Sequence, residues 1–169
     1  MFTKVLIPTD LSPASAVAAE RIGEVPGVRE VVLFHARVSA GPLPSDEPLR
    51  RMEDLVRRQG IAVEVVVAED DGTPVPERIL SAASGTGVDL IAMGVRDQGL
   101  LRNLFSGNVA AVVLRDARIH VLVVPRSGGG GGPLFARLLV PTDLAVPAPE
   151  VRSILEEPAA GGTAVLLHV

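Results

Sequence analysis

Five short apolar runs, each separated from the next by a segment of helical length, constrain this chain more than any other feature. They are residues 4–8 (KVLIP), 30–36 (EVVLFHA), 61–68 (IAVEVVVA), 88–93 (VDLIAM) and 119–124 (IHVLVV). A strand with one wet face alternates polar and apolar residues. These runs are nearly continuous, as strands buried on both faces are. The segments between them carry helical spacing instead. Val17, Ala18, Ile22 and Val25 recur at that period, and Ser12-Pro13 offers a capping hydroxyl followed by a proline suited to the first helical position. Leu49, Met52, Leu55 and Val56 share one face of a second helix, closed by Gly60, with Arg50, Arg51, Glu53, Asp54, Arg57 and Arg58 mostly opposite as a solvated face with i, i+4 pairs. Asp71-Gly72-Thr73-Pro74 turns into a third helix over 75–83, and a fourth covers 107–116.

Strands alternating with helices predict an α/β fold: a doubly wound, five-stranded parallel sheet with helices on both faces. Ligands in such Rossmann-like folds bind beyond the carboxyl ends of the strands, where the strand order reverses. A strand order of 3-2-1-4-5 places that reversal between strands one and four, so that Asp10 and Gly94 face one crevice. The loop from Gly94 to Gly107-Asn108 then joins a strand to a helix start. Free N–H groups and the positive dipole end at such a start attract phosphate.

Composition removes several functions. There is no cysteine, which excludes disulfides, thiolate metal sites and cysteine catalysis, and Lys4 is the only lysine. A net charge of -4 supplies no electrostatic attraction for nucleic acid. The opening MFTKVLIPTD has neither the length of a signal peptide nor that of a membrane span, which predicts a cytoplasmic protein. No nucleophile elbow, Walker lysine loop or metal-spaced histidines occur, so no catalytic or metal-binding residue is expected. His35, at a strand end, and His120 read as structural. Glu69-Asp70-Asp71 imitates the acidic cluster of a receiver domain, but that class needs a lysine after strand five, where Pro125-Arg126 stands.

The chain also repeats itself. LLVPTDL at 138–144 matches VLIPTDL at 5–11, and VLLH at 165–168 matches VLFH at 32–35, both displaced by 133 residues (141 − 8 and 168 − 35). Two matches at one ungapped displacement indicate duplication. This divides the chain into a first α/β domain over 1–126, a glycine-rich linker over 127–135 and a partial second copy, β-α-β, over 136–169. Two strands and one helix are too few to bury a sheet. Either that copy packs on the first domain or on another chain, or it is truncated.

In combination, these residues resemble the universal stress protein family. The resemblance rests on Pro8-Thr9-Asp10-Leu11-Ser12, on Phe34-His35, on Met93-Gly94 through Gly107-Asn108-Val109-Ala110, and on Val121-Leu122-Val123-Val124-Pro125. It covers 1–126 and resumes at Ala136, and tandem copies are known in the family. The resemblance implies a stress-response or regulatory protein, and for its ATP-binding branch a motif of Gly, two residues, Gly, nine residues, Gly, then Ser or Thr. Gly94 and Gly107 fit the first and third glycines. Asp97 stands at the second and Asn108 at the hydroxyl. A carboxylate beside a triphosphate costs ~1 kcal/mol at about 4 Å in water-like dielectric and several-fold more where water is excluded. Asn108 can still donate to a phosphate oxygen, and Arg96 and Gly99 partly compensate.

The candidate nucleotide-binding set is therefore Pro8, Thr9, Asp10, Gly94, Arg96, Asp97, Gly107, Asn108 and Val109, with ATP and Mg²⁺ as the implied cofactor. The primary expectation is a non-catalytic, self-associating regulatory protein with a degenerate nucleotide cradle. It would pair through the apolar edge strand 119–124, as a homodimer or as an intramolecular pseudo-dimer with the second copy. The alternative is an ATP- or AMP-binding switch with at most slow hydrolysis, in which Asp97 points away or meets a metal ion. A non-binding scaffold would instead fill the crevice with Leu100, Leu101 or Phe105.

Overall fold

A computed structural model of the chain describes residues 2–38, 47–95, 109–126, 133–135, 137–142 and 163–168, with backbone alone for 137–142 and 164–168. Strand β1 (Lys4–Thr9) leads to helix α1 (Pro13–Arg21), whose last turn tightens into a 3₁₀ turn at Ile22–Glu24. Strand β2 (Glu30–Ala36), helix α2 (Glu47–Arg57), strand β3 (Ala62–Ala68), helix α3 (Val75–Thr86), strand β4 (Leu90–Val95), helix α4 (Val109–Asp116) and strand β5 (His120–Pro125) follow. The order is β3-β2-β1-β4-β5 and every pairing is parallel. The expected topology is the observed one.

The two-residue side-chain period explains why the strand runs are apolar throughout. Val5 and Ile7 enter a core with Val31, Leu33 and Ala92, covered by Ala18, Ala19 and Ile22 of α1 and Met52 and Val56 of α2. Leu6, Val32, Phe34, Ile91 and Met93 enter the opposite core, with Ile79 and Ala83 of α3 and Ala110 and Val113 of α4. Each fully buried Leu, Ile or Val contributes roughly 1.5–3 kcal/mol relative to its exposed state.

Edge strand β3 departs from the sequence pattern. Its apolar run implied burial on both faces, yet Val65 and Val67 are 37% and 41% exposed. A run of valines records the preference for extended backbone as much as burial. The charged face of α2 is as expected: Arg57 pairs with Glu53 at 2.6 Å, and Arg51 pairs with Glu47. Gln59 ties α2 to α1, donating to the carbonyls of Leu55 and Ala19 and accepting from the Gly23 N–H.

After residue 126, Leu134 and Phe135 pack against the α1/α2-side core, and the Leu134 N–H donates to the Glu24 carboxylate. Strands β6 (Arg137–Thr142) and β7 (Thr163–His168) pair in parallel as a separate two-stranded sheet. Their register runs from Arg137↔Thr163 to Thr142↔His168. The β1–β2 register runs from Lys4↔Glu30 to Thr9↔His35, displaced by 133 in both strands (137 − 4 and 163 − 30).

Candidate functional site

Strand β1 is treated differently by its two neighbours. Against β2 it pairs over all six residues, from Lys4↔Glu30 to Thr9↔His35. Against β4 the pairing covers only Val5↔Leu90 and Leu6↔Ile91. Beyond Leu6 the two strands part, at the reversal of strand order where a parallel sheet offers its crevice. Pro8 is buried at this height. Its missing N–H costs little where the β4 ladder has already stopped.

The first turn of α1 comes down against the parted segment. A Cβ placed on Gly94 would lie 2.1 Å from the Ala14 carbonyl oxygen and 3.0 Å from Ser15 Cα. Both contacts are with backbone, which cannot swing aside. Gly94 is therefore required by helix–strand packing, whatever else its loop does.

Asp10 follows β1 directly and is exposed. Its Oδ1 accepts the Ser12 N–H at 3.0 Å, a turn one step before the helix. The helix cap itself is Ser12: its Oγ accepts the Ser15 N–H at 3.3 Å, and Pro13 occupies the first turn. Partial burial pushes the Asp10 carboxyl upward, but hydrogen bonding led by Ser12 outweighs it and holds the group below the ordinary aspartate value. Asp10 is thus an ionised, exposed acceptor beside the crevice.

Thr9 is buried beneath it. Its carbonyl lies 2.9 Å from His35 Nδ1. A carbonyl cannot donate, so Nδ1 carries the proton, and His35 is the satisfied histidine that its strand-end position suggested. His120 meets Phe2 edge-to-face at 5.3 Å. Val109 opens α4 and is 36% exposed. Arg96, Asp97, Gly107 and Asn108, together with the plug candidates Leu100, Leu101 and Phe105, lie outside the described residues.

One residue that matters escaped the sequence reading. Arg78 of α3 is only 6% exposed and donates to three carbonyls: Arg37 at 2.7 Å, Ala68 at 2.6 Å and Glu69 at 2.7 Å. Asp70 and Asp71 stand near it at 3.9 and 4.0 Å. Arg78 closes the carboxyl ends of β2 and β3, as the open β1–β4 side is not closed. Its signal was available: position 78 falls on the apolar stripe of α3 between Val75 and Ile79. The acidic run beside it is spent on its own turn, Asp70 accepting from Gly72 N–H and Asp71 from Thr73 N–H, while Glu69 pairs with Arg37. Among the described residues, no group of three or more His, Asp or Glu side chains is placed to hold a metal ion, and no helix is long and apolar enough to cross a membrane.

Comparison with known proteins agrees with this geometry. The universal stress protein family matches residues 1–125. The chain belongs to that family. A curated relative from Thermus aquaticus, the universal stress protein in the QAH/OAS sulfhydrylase 3′ region, is 33% identical over 141 residues, covering 73% of this chain and 99% of its own length. A universal stress protein solved in complex with cAMP shares the fold with a TM-score of 0.57 at 24% identity, over 73% of this chain and 96% of that one. A universal stress protein from Archaeoglobus fulgidus DSM 4304 aligns with a TM-score of 0.66 at 23% identity, over 98% of this chain and 65% of that one. In this universal stress protein the family's opening strand, its β1–α1 turn and its β4 glycine all meet at the parted strands.

Proposed function

We propose that this universal stress protein is a non-catalytic, self-associating regulatory protein whose β1–β4 crevice takes the nucleoside end of an adenine nucleotide. The observation that carries this reading is the parting of β1 from β4 beyond Leu6↔Ile91, with the ionised Asp10 exposed beside it. A carboxylate accepts hydrogen bonds, and ribose hydroxyls and an exocyclic amine donate them. The relative of shared fold that holds cAMP supports the choice of ligand class.

The described residues fit the two ends of a nucleotide unequally. Asp10 suits the nucleoside, whereas Pro8 and Thr9, expected beside it as contacts, are buried and shape the turn that presents it. Gly94 is already filled against α1, so it adds no room for phosphate. Phosphate contacts would fall to Arg96, Gly107, Asn108 and the first N–H groups of α4 at Val109, with Asp97 opposing them. ATP with Mg²⁺ is accordingly the ligand of the second reading, a switch with at most slow hydrolysis.

For assembly we assign a partial second copy to 136–169. Its support is the sequence displacement of 133, the identical displacement in strand register, and the alignment of the Archaeoglobus fulgidus chain across 98% of this one. The edge strand β5 leaves Val121, Leu122 and Val123 half-buried. It is the surface through which a second chain, or the second copy, would pair.

Calorimetric titration with AMP, cAMP and ATP·Mg²⁺ tests the ligand reading. Similar affinities for all three support nucleoside recognition. ATP·Mg²⁺ binding far tighter than AMP would favour the switch, and no heat with any of them would overturn both. Replacing Asp97 by Gly should raise ATP affinity, and unchanged affinity would remove the like-charge argument. Sedimentation velocity, with and without a charged substitution at Leu122, tests β5 pairing.

A further inference from the structure

The turn that presents Asp10 is unusual in one respect. Leu11 has φ +63°, and among the described residues it is the only non-glycine with positive φ. A left-handed conformation places the Cβ of an L-residue against the following carbonyl, so something must hold it there. Thr9 does so. The Leu11 N–H donates to Thr9 Oγ1 at 2.9 Å. Thr9 Oγ1 lies 2.9 Å from Ser15 Oγ and 3.3 Å from Met52 Sδ, and Ser15 Oγ donates to the Ser12 carbonyl at 2.9 Å.

Two hydroxyl protons serve these three contacts. A carbonyl is a far stronger acceptor than a thioether, so the Ser15 proton goes to Ser12 O and the Thr9 proton to Ser15 Oγ. The result is one directed relay, from Leu11 N–H through Thr9 and Ser15 to Ser12 O. Thr9 and Ser15 are 7% and 5% exposed and Met52 is 3% exposed. Water therefore does not compete for these hydroxyls, and each hydrogen bond polarises the next. Ser12, at the end of the relay, also donates its N–H to Asp10 Oδ1. The Thr9 carbonyl, on the other side, holds His35 Nδ1–H.

We propose that Thr9 is the positioning residue of this crevice. Its hydroxyl holds Leu11 left-handed and thereby aims the Asp10 carboxylate at the nucleoside. This rests on the nucleoside reading above for its ligand, but not for its geometry. Thr9→Val keeps the shape and removes the hydroxyl, Thr9→Ser keeps the hydroxyl, and Ser15→Ala breaks the relay one step further on.

The test uses the full chain. Amide hydrogen exchange at Leu11 and a carboxyl ¹³C titration of Asp10 are measured without ligand, and AMP affinity by calorimetry. Thr9→Val should speed Leu11 exchange, move the Asp10 titration toward that of an ordinary aspartate and weaken AMP binding about tenfold. Thr9→Ser should restore all three. Wild-type Leu11 exchange and Asp10 titration in a folded Thr9→Val protein would overturn the proposal. If Thr9→Val does not fold, the same comparison in Ser15→Ala decides. If the wild-type protein binds no AMP, the crevice reading fails, while the two ligand-free measurements still judge Thr9.

Discussion

The two sides of β1 are built from similar residues and end differently. On the β2 side the ladder is complete, and Arg78 clasps the carbonyls of Arg37, Ala68 and Glu69 where β2 and β3 finish. On the β4 side two pairs form, the strands part, and the first turn of α1 settles on Gly94. A sheet spends its backbone hydrogen bonds on neighbours wherever it can. The first turn of α1 packs on β4 at Gly94, just beyond the point where the β1–β4 ladder stops. Backbone pairing is complete on one side of the strand and stops early on the other.

The largest test of this contrast is Gly94→Ala. A methyl group 2.1 Å from the Ala14 carbonyl oxygen forces α1 off the sheet. We expect a loss of about 4 kcal/mol, read from urea unfolding. A loss below about 1 kcal/mol would show that α1 does not rest on the β4 backbone at Gly94. Arg78→Met comes next. It removes the buried guanidinium from three carbonyls, of which Ala68 still accepts the Arg37 N–H, and should cost about 2 kcal/mol, with hydrogen exchange rising first at the ends of β2 and β3. Equal loosening of β4 would contradict the division between the two sides.

Ser12→Ala removes the cap of α1 and should cost about 1 kcal/mol by thermal or urea unfolding. It should also move Asp10 up toward its ordinary value, because the Ser12 side chain is one of the groups that hold the carboxyl low, while the Ser12 N–H bond to Oδ1 remains. The smallest effect belongs to Asp10 itself. Its carboxyl sits below the ordinary aspartate value in the folded protein, so ionised Asp10 favours folding above that ordinary value. The contribution disappears as pH falls through the lower, folded value. Asp10→Asn should therefore lower stability slightly at neutral pH, leave the acid end nearly unchanged and so flatten the curve between them. A larger effect at neutral pH would make Asp10 a structural residue of the turn.

Much of this was legible beforehand. The apolar runs, the helical periods between them and the Ser12-Pro13 cap lead to the alternating strands and helices and to α1, because each is a local pattern repeated at every turn or pleat. The displacement of 133 was legible for the same reason, and the backbone register of β6 and β7 carries it. The family could be read from short motifs. The glycine of β4 could be read as special, but not why: its neighbour Ala14 is 80 residues earlier in the chain (94 − 14).

By itself, then, the sequence determined which segments are strands and helices and which of their residues are apolar, and with the expected order 3-2-1-4-5 it pointed to the reversal between strands one and four. Tertiary structure alone decided that β1 and β4 part after two pairs. It also decided that Gly94 is filled by α1 rather than left open, that Leu11 turns left-handed over the Thr9 hydroxyl, and that Arg78 is a buried clasp. The physical reason is common to all four. Periodicity reports how a residue relates to its own helix or strand. A close approach or a buried donor depends on an atom brought in from elsewhere in the chain, and only the packed fold sets that distance.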